Sequence, residues 1–269
     1  GSIINFPFTS TDLDNCYDIY GEPFPLIKGI STRSPSTPTQ VQEEIVIPPE
    51  VVRQLQTDEI DIDHYWCNGN PYLHTKGRKV CFKKTFTCKT EGMKECSKEL
   101  QSLLKDYDDA NIEISIIHRD KAFSSLSPEL GSWLNIVALN AHVGCIKRDI
   151  RTQKERGRCI IASTPFKCIP KLMCDELQQH ISNIENSFPD AQGNIGNLTA
   201  NNIVLCRGKI DYSKIKLRFG DYYQVHLDTT NTMRGHTVGT IALRPNNDQS
   251  SYWFMNLRTG KRIHARQWE

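Results

Sequence analysis

Residues 59–75 read EIDIDHYWCNGNPYLHT, and this stretch decides the fold. Ile60, Ile62, His64 and Trp66 alternate with Asp61, Asp63 and Tyr65, the period-two pattern of a half-buried strand. Asn68-Gly69-Asn70-Pro71 then interrupts the alternation. Asn-Gly suits a tight hairpin because both residues tolerate positive φ. Residues 71–75 return as a second strand and residues 80–87 supply a third.

Downstream, residues 92–107 change to helical period, with Met93, Cys96, Leu100, Leu103 and Leu104 on one face. Ile112 to Ile117 is a β-branched run ending at His118-Arg119-Asp120, which fits a buried central strand. Ser127-Pro128-Glu129 opens a short turn or helix, and Leu134 to Ala138 reads as a further strand. A long helix is expected over 142–162 and a second over 170–186. In the first, Lys147, Arg151, Lys154 and Arg158 fall at i, i+4, i+7 and i+11 and so share one face.

The tail differs in character. Tyr222 to His226, Gly239 to Leu243, Tyr252 to Met255 and Arg262 to His264 are short strands between turns, one of them Thr259-Gly260. That spacing predicts a small antiparallel barrel, with Trp253 and Phe254 in its core. Upstream, residues 1–50 show no clear period, and Ser34-Pro35-Ser36-Thr37-Pro38 with Ile47-Pro48-Pro49 reads as an extended connector. The expected division is a lead-in and linker over 1–55, an α/β domain over 56–190, a linker over 191–218 and an all-β unit over 219–269.

The 269 residues suffice for one large or two modest domains, and 38% hydrophobic content excludes a disordered or fibrous chain. No run approaches the roughly 20 apolar residues of a membrane span. Gly1-Ser2, without Met, reads as a cloning scar. The ten cysteines lack the tight paired spacing of structural zinc, so no zinc site is expected. They read as free thiols in a reducing compartment, nuclear or cytoplasmic rather than secreted. Charge is uneven beneath a net of +2: residues 1–70 hold 3 basic and 11 acidic side chains, residues 147–171 hold 8 and 2, and residues 207–269 hold 11 and 5. Basic blocks of this kind suit a polyanion partner.

Asp63 lies in the first strand and Asp120 at the end of a later one, and adjacent strands can bring two such carboxylates together. Oxygen ligands of that kind hold Mg²⁺. Paired ions can then activate a nucleophile and stabilise a leaving oxygen in phosphoryl transfer.

Several segments carry a family resemblance. They are Asp18-Ile19-Tyr20-Gly21, Leu26-Ile27-Lys28-Gly29 and Ser31-Thr32-Arg33, then Asp63 with Asn68 to Leu73, then Asp120-Lys121-Ala122-Phe123. Asn140 to Val143 leads into the basic run Ile150 to Arg156. Phe219-Gly220-Asp221-Tyr222, Asn231-Thr232-Met233, Gly239 to Pro245 and Leu257 to Arg262 close the chain. Together they resemble the integrase region of a Copia-type long-terminal-repeat retrotransposon polyprotein. The resemblance implies a ribonuclease-H-like integrase core, a mixed five-stranded sheet with helices, followed by a small barrel of the Src-homology-3 type. It also implies Asp63 and Asp120 as catalytic, metal-holding residues with Mg²⁺ or Mn²⁺, double-stranded DNA as partner, and a dimer or higher multimer.

The departures change the functional expectation. Relatives carry His-Val-Pro-Glu-aliphatic-Glu-Arg at the start of the basic helix, and one of those glutamates completes the metal triad. Here the stretch is His142-Val143-Gly144-Cys145-Ile146-Lys147-Arg148, so the third acid position is Lys147, or else Cys145. An ammonium there repels a cation instead of binding it; at an effective dielectric near 20, one unit pair at 4 Å is worth about 4 kcal/mol. Glu155 lies eight residues past Lys147, about 12 Å along a helix, which argues against rescue. The amino-terminal His-His-Cys-Cys module of integrases is not recognisable.

The leading expectation is an integrase-derived, domesticated or degenerate protein that binds DNA with its strand-transfer chemistry lost. Lys147, Arg151, Lys154 and Arg158, with Arg258, Lys261 and Arg262 of the barrel, are the expected nucleic-acid contacts. The alternatives are an active two-metal integrase or nuclease using Asp63, Asp120 and an unexpected third ligand, and an interaction scaffold that does not bind DNA.

Overall fold

In a computed structural model of the chain the described residues are 9–21, 46–88, 93–119, 134–136, 143–189, 198–207, 217–227, 235–246 and 251–269. Asp120, the connector at 34–38 and the Ser127-Pro128-Glu129 segment lie outside them. The chain begins with α1 (Ser10–Tyr20) and α2 (Pro49–Gln54). Helix α1 falls where no period was legible. Thr9 and Asp12 cap its start reciprocally, and Gly21, at φ 71°, ends it. Local capping chemistry specifies this helix, rather than a packed face.

Strands β1 (Thr57–Cys67) and β2 (Asn70–Gly77) form the expected hairpin, and Asn68 (φ 50°) and Gly69 (φ 74°) take the positive φ its turn needs. Strand β3 (Lys83–Thr87) pairs antiparallel with β2. Helix α3 (Met93–Asp109) then crosses one face, as it must, because β4 (Glu113–Arg119) runs parallel to β1. Strand β5 (Leu134–Ile136) adds parallel to β4 and completes the order β3-β2-β1-β4-β5. This is the mixed five-stranded sheet the sequence led us to expect. Helices α4 (Val143–Ala162), α5 (Lys171–Glu185) and α6 (Ala200–Val204) follow.

Register gives the sheet two unlike faces. Ile62 opposes Thr75 and His64 opposes Leu73, whereas Asp61 opposes Lys76, Asp63 opposes His74 and Tyr65 opposes Tyr72. The first set faces an apolar core in which Ile60, Ile62, Leu73 and Ile117 pack with Leu100, Leu103 and Tyr107 of α3. Ala200, Ile203 and Val204 of α6 join that core, although they lie in a stretch expected as linker. Each aliphatic side chain buried there contributes about 1.5–3 kcal/mol. The second face is polar apart from Tyr65 and Tyr72, which pack with Ile146 and Ile150 of α4.

The tail is an antiparallel meander, β6 (Tyr222–His226), β7 (Thr237–Asn246), β8 (Ser251–Asn256) and β9 (Arg262–Ala265), in that spatial order. As named strands it is an open sheet rather than a closed barrel. The two ends do approach: the Gln224 N–H donates to the Glu269 carbonyl at 2.8 Å, and the Glu269 N–H returns to Gln224 at 2.9 Å. Phe254 is fully buried as expected, but Trp253 is only half-buried. Helix α5 joins the two sheets, since Met173, Leu177 and Ile181 pack with Phe219, Ile241, Leu243 and Met255.

Candidate nucleic-acid interface

Helix α4 carries most of the candidate site, and its own periodicity sets what each side chain can do. Ile146, Ile150, Gln153 and Gly157 are buried against the rest of the fold. Lys147, Arg151, Lys154 and Arg158 each follow a buried position by one residue, so they form a row about 100° round the helix along one flank. Lys147, Arg151 and Arg158 are exposed and Lys154 is half-buried. The Lys154 ammonium sits 5.4 Å from the centre of the Tyr65 ring, a cation–π contact that ties the row to the end of β1. Burial pushes the neighbouring Cys67 thiol up, against the opposing charges of Lys154 and Arg158. Arg151 Nε donates to Glu155 at 2.9 Å, an exposed pair of little energetic weight.

Of the two expected carboxylates, only Asp63 falls among the described residues. Asp63 lies in β1 opposite His74, half-buried, and its Oδ1 accepts the His64 N–H at 2.8 Å. Asp120 lies outside the described residues, so its meeting with Asp63 does too. Cys145 and Lys147 are exposed in the first turns of α4. Among the described residues no group of three His, Cys, Asp or Glu side chains could hold a metal ion.

The acid on α4 that reaches the sheet is Asp149, which the sequence reading passed over. It is buried, and it takes His74 Nε2 at 2.8 Å, Lys83 Nζ at 2.6 Å and Lys76 Nζ at 3.3 Å. Burial alone would raise its carboxyl, but the His74 hydrogen bond and the Lys83 ammonium outweigh burial and hold it well below the ordinary carboxylate value. Lys83 also binds Glu185, which pairs with Arg156 at 2.9 Å. On its other nitrogen His74 meets Thr85 at 2.8 Å, and Thr85 meets Ser182 of α5 at 2.8 Å. The network fastens α4 and α5 to β2 and β3 and leaves Asp149 fully neutralised. Two signals in the sequence pointed to it: Asp149 is the one acid in the first three turns of a basic helix, and β1–β3 place polar residues at every second position.

The tail's cations divide into two kinds. Arg258 and Lys261 are exposed in the β8–β9 turn, where Gly260 takes φ 66° and Asn256 Oδ1 accepts the Arg258 N–H at 2.8 Å. Arg262 instead stacks over Trp253 at 4.3 Å and donates from Nη1 to Glu176 Oε1 at 2.6 Å. Arg244 Nε donates to the other oxygen of Glu176, also at 2.6 Å. Glu176 is buried on α5, so this triad is a joint between the sheets, with Arg262 committed to it. Beside it His180 stacks on Phe219 at 5.8 Å, and burial, with the Arg244 charge, lowers its imidazole to about 4.

No family model matches the chain, and no curated protein matches it. Among solved structures, the catalytic core domain of BIV integrase is similar at 15% identity and a TM-score of 0.40, over 55% of this chain and 93% of that one. The structure defines a mixed α/β protein with an added antiparallel sheet and a basic helix flank. No helix among the described residues is long and apolar enough to cross a membrane.

Proposed function

We propose that the chain is an integrase-derived, DNA-binding protein whose strand-transfer chemistry is lost. On this reading the first unit is a ribonuclease-H-like integrase core of Copia type, and the second is a small Src-homology-3-type barrel brought near closure by the Gln224–Glu269 hydrogen bonds. One observation carries it: α4 presents a row of four cations, and neither of its acids is available for metal. Asp149 is neutralised by Lys83 and Lys76, and Glu155 lies eight residues past Lys147, about 12 Å along the helix. Lys147, Arg151, Lys154 and Arg158 track phosphates, with Arg258 and Lys261 reaching the same polyanion from the tail.

Two assays test the reading. In titrations with mixed-sequence duplex across a salt series, log affinity falls by about 0.9 per phosphate neutralised for each tenfold rise in salt. Lys147→Ala, Arg151→Ala and Arg158→Ala each lower that slope by about 0.9. Absent or salt-independent binding overturns DNA binding in favour of a protein scaffold. In nicking and strand-transfer assays with Mg²⁺ or Mn²⁺ the chain is silent. Activity abolished by Asp63→Asn or Asp120→Asn overturns the inactive reading. Activity gained by Cys145→Glu/Lys147→Glu supports it directly.

A further inference from the structure

We infer that Cys67 and Cys174 form a redox-sensitive pair whose disulfide staples the β1–β2 hairpin to α5. Cys67 is the last residue of β1, paired across the hairpin with Asn70, and Cys174 lies in the first turn of α5. Crossed contacts hold the two thiols. Asn68, next to Cys67, donates from Nδ2 to Cys174 Sγ at 3.4 Å. Gln178, one turn beyond Cys174, donates from Nε2 to Cys67 Sγ at 3.8 Å. Two further bonds join the same elements around the pair. The Tyr65 hydroxyl donates to Gln178 Oε1 at 2.7 Å, and the Tyr72 hydroxyl donates to Asp175 Oδ1 at 2.8 Å. Strand end and helix therefore meet at the two sulfurs, although the cysteines are far apart in sequence.

The surroundings suit the oxidised state. Burial pushes both thiols up, so each is disfavoured as a thiolate, whereas a disulfide carries no charge. Cys67 also packs against the apolar cluster of Tyr65, Tyr72, Ile146 and Ile150. Cys67 is half-buried and Cys174 is buried, which sets the order of attack. The Cys67 thiolate, its proton lost to water, attacks one sulfur of a small disulfide such as oxidised glutathione, forming a mixed disulfide and expelling one thiolate. The Cys174 thiolate then attacks the Cys67 sulfur, closing the internal bond and expelling the second thiolate. Two protein thiols are oxidised, one small disulfide is reduced, and the two protons end on the expelled thiolates. A disulfide needs Cα atoms about 4.4–6.8 Å apart, and the Asn68-Gly69 turn and the first turn of α5, each at the end of an element, adjust to it. The staple fixes the helix on which the tail sheet also packs, through Met173, Leu177 and Ile181.

The full chain is incubated with oxidised glutathione at about pH 8.5, where a larger thiolate fraction speeds exchange. Remaining thiols are blocked with iodoacetamide, and non-reduced peptides are mapped by mass spectrometry. The expected product is a Cys67–Cys174 link within one chain, reversed by dithiothreitol, while exposed Cys16, Cys145, Cys159, Cys168 and Cys206 carry glutathione. Oxidation raises Tm by at least about 5 °C, because the bond closes a long loop, and the rise is absent in Cys67→Ala and Cys174→Ala. The peptide map of the unmutated chain stands even where a variant fails to fold. In urea, where no fold orders the cysteines, the same treatment gives mixed pairings. A Cys67–Cys174 share no greater in the folded chain than in urea overturns the inference. So do Cys67 and Cys174 left free while the exposed thiols are modified. The salt slope for duplex is read separately, so failure of the staple leaves the DNA reading standing.

Discussion

Replacing Asp149 by Asn removes the charge on which buried His74 and half-buried Lys83 and Lys76 converge while keeping the side chain's size. Asp149 is 7% exposed and takes His74, Lys83 and Lys76 within 3.3 Å. Deleting one partner of a buried ion pair typically costs 3–5 kcal/mol, because the other charge stays buried and uncompensated. Two features place the loss at the low end of that range: Lys83 retains Glu185, and Lys76 is 25% exposed and can turn to water. The expected loss is about 3 kcal/mol, or a fall of roughly 6–12 °C in Tm for a unit of this size. Because the folded carboxyl is held below its ordinary 3.8, its contribution is complete above that value and is lost only as pH falls through the lowered folded value. The carboxyl's own titration therefore adds no pH dependence to that difference above about pH 5. Urea titrations of Asp149→Asn, Lys83→Met and the double variant measure it, and the double variant loses less than the two single losses combined. A loss under about 1 kcal/mol, or strict additivity with Lys83→Met, would refute the claim that this network fastens α4 to the sheet.

Other outcomes follow from the same geometry. His180, lowered from 6.5 to about 4 by burial and Arg244, stays neutral in the fold, so stability is full above pH 6.5. It falls by about 3 kcal/mol as pH drops from 6.5 to 4, and His180→Phe flattens that profile in denaturant titrations. Gly77→Ala drives a methyl against the Tyr107 hydroxyl and to 2.6 Å from Asp58 Oδ2, both buried, and costs about 1–3 kcal/mol by thermal melting. Glu176→Gln strips Arg244 and Arg262 of their shared carboxylate and costs about 3 kcal/mol. Calorimetry then resolves two transitions where the wild type shows one, because α5 no longer holds the tail sheet by charge as well as by packing.

The sequence by itself determined the elements whose signals are local. Asn68-Gly69 demanded a hairpin, the β-branched run Ile112 to Ile117 demanded a buried strand, and the spacing from Lys147 to Arg158 put four cations on one flank. It also displayed Lys147 where the resemblance implies an acid. Helix α1 was equally local, written in Thr9, Asp12 and Gly21, but its caps carry no hydrophobic period and so went unread. Only the tertiary structure decided which charges are free. Arg262 and Lys261 are neighbours in sequence, yet one is exposed in a turn while the other is committed to Glu176, 86 residues away. Asp149 and His74, 75 residues apart, meet only because β2 and α4 pack on the same face of the sheet. Periodicity shows which side of an element a charge lies on. Its partner is set by long-range packing, and the partner determines whether that charge binds a ligand or holds the fold together.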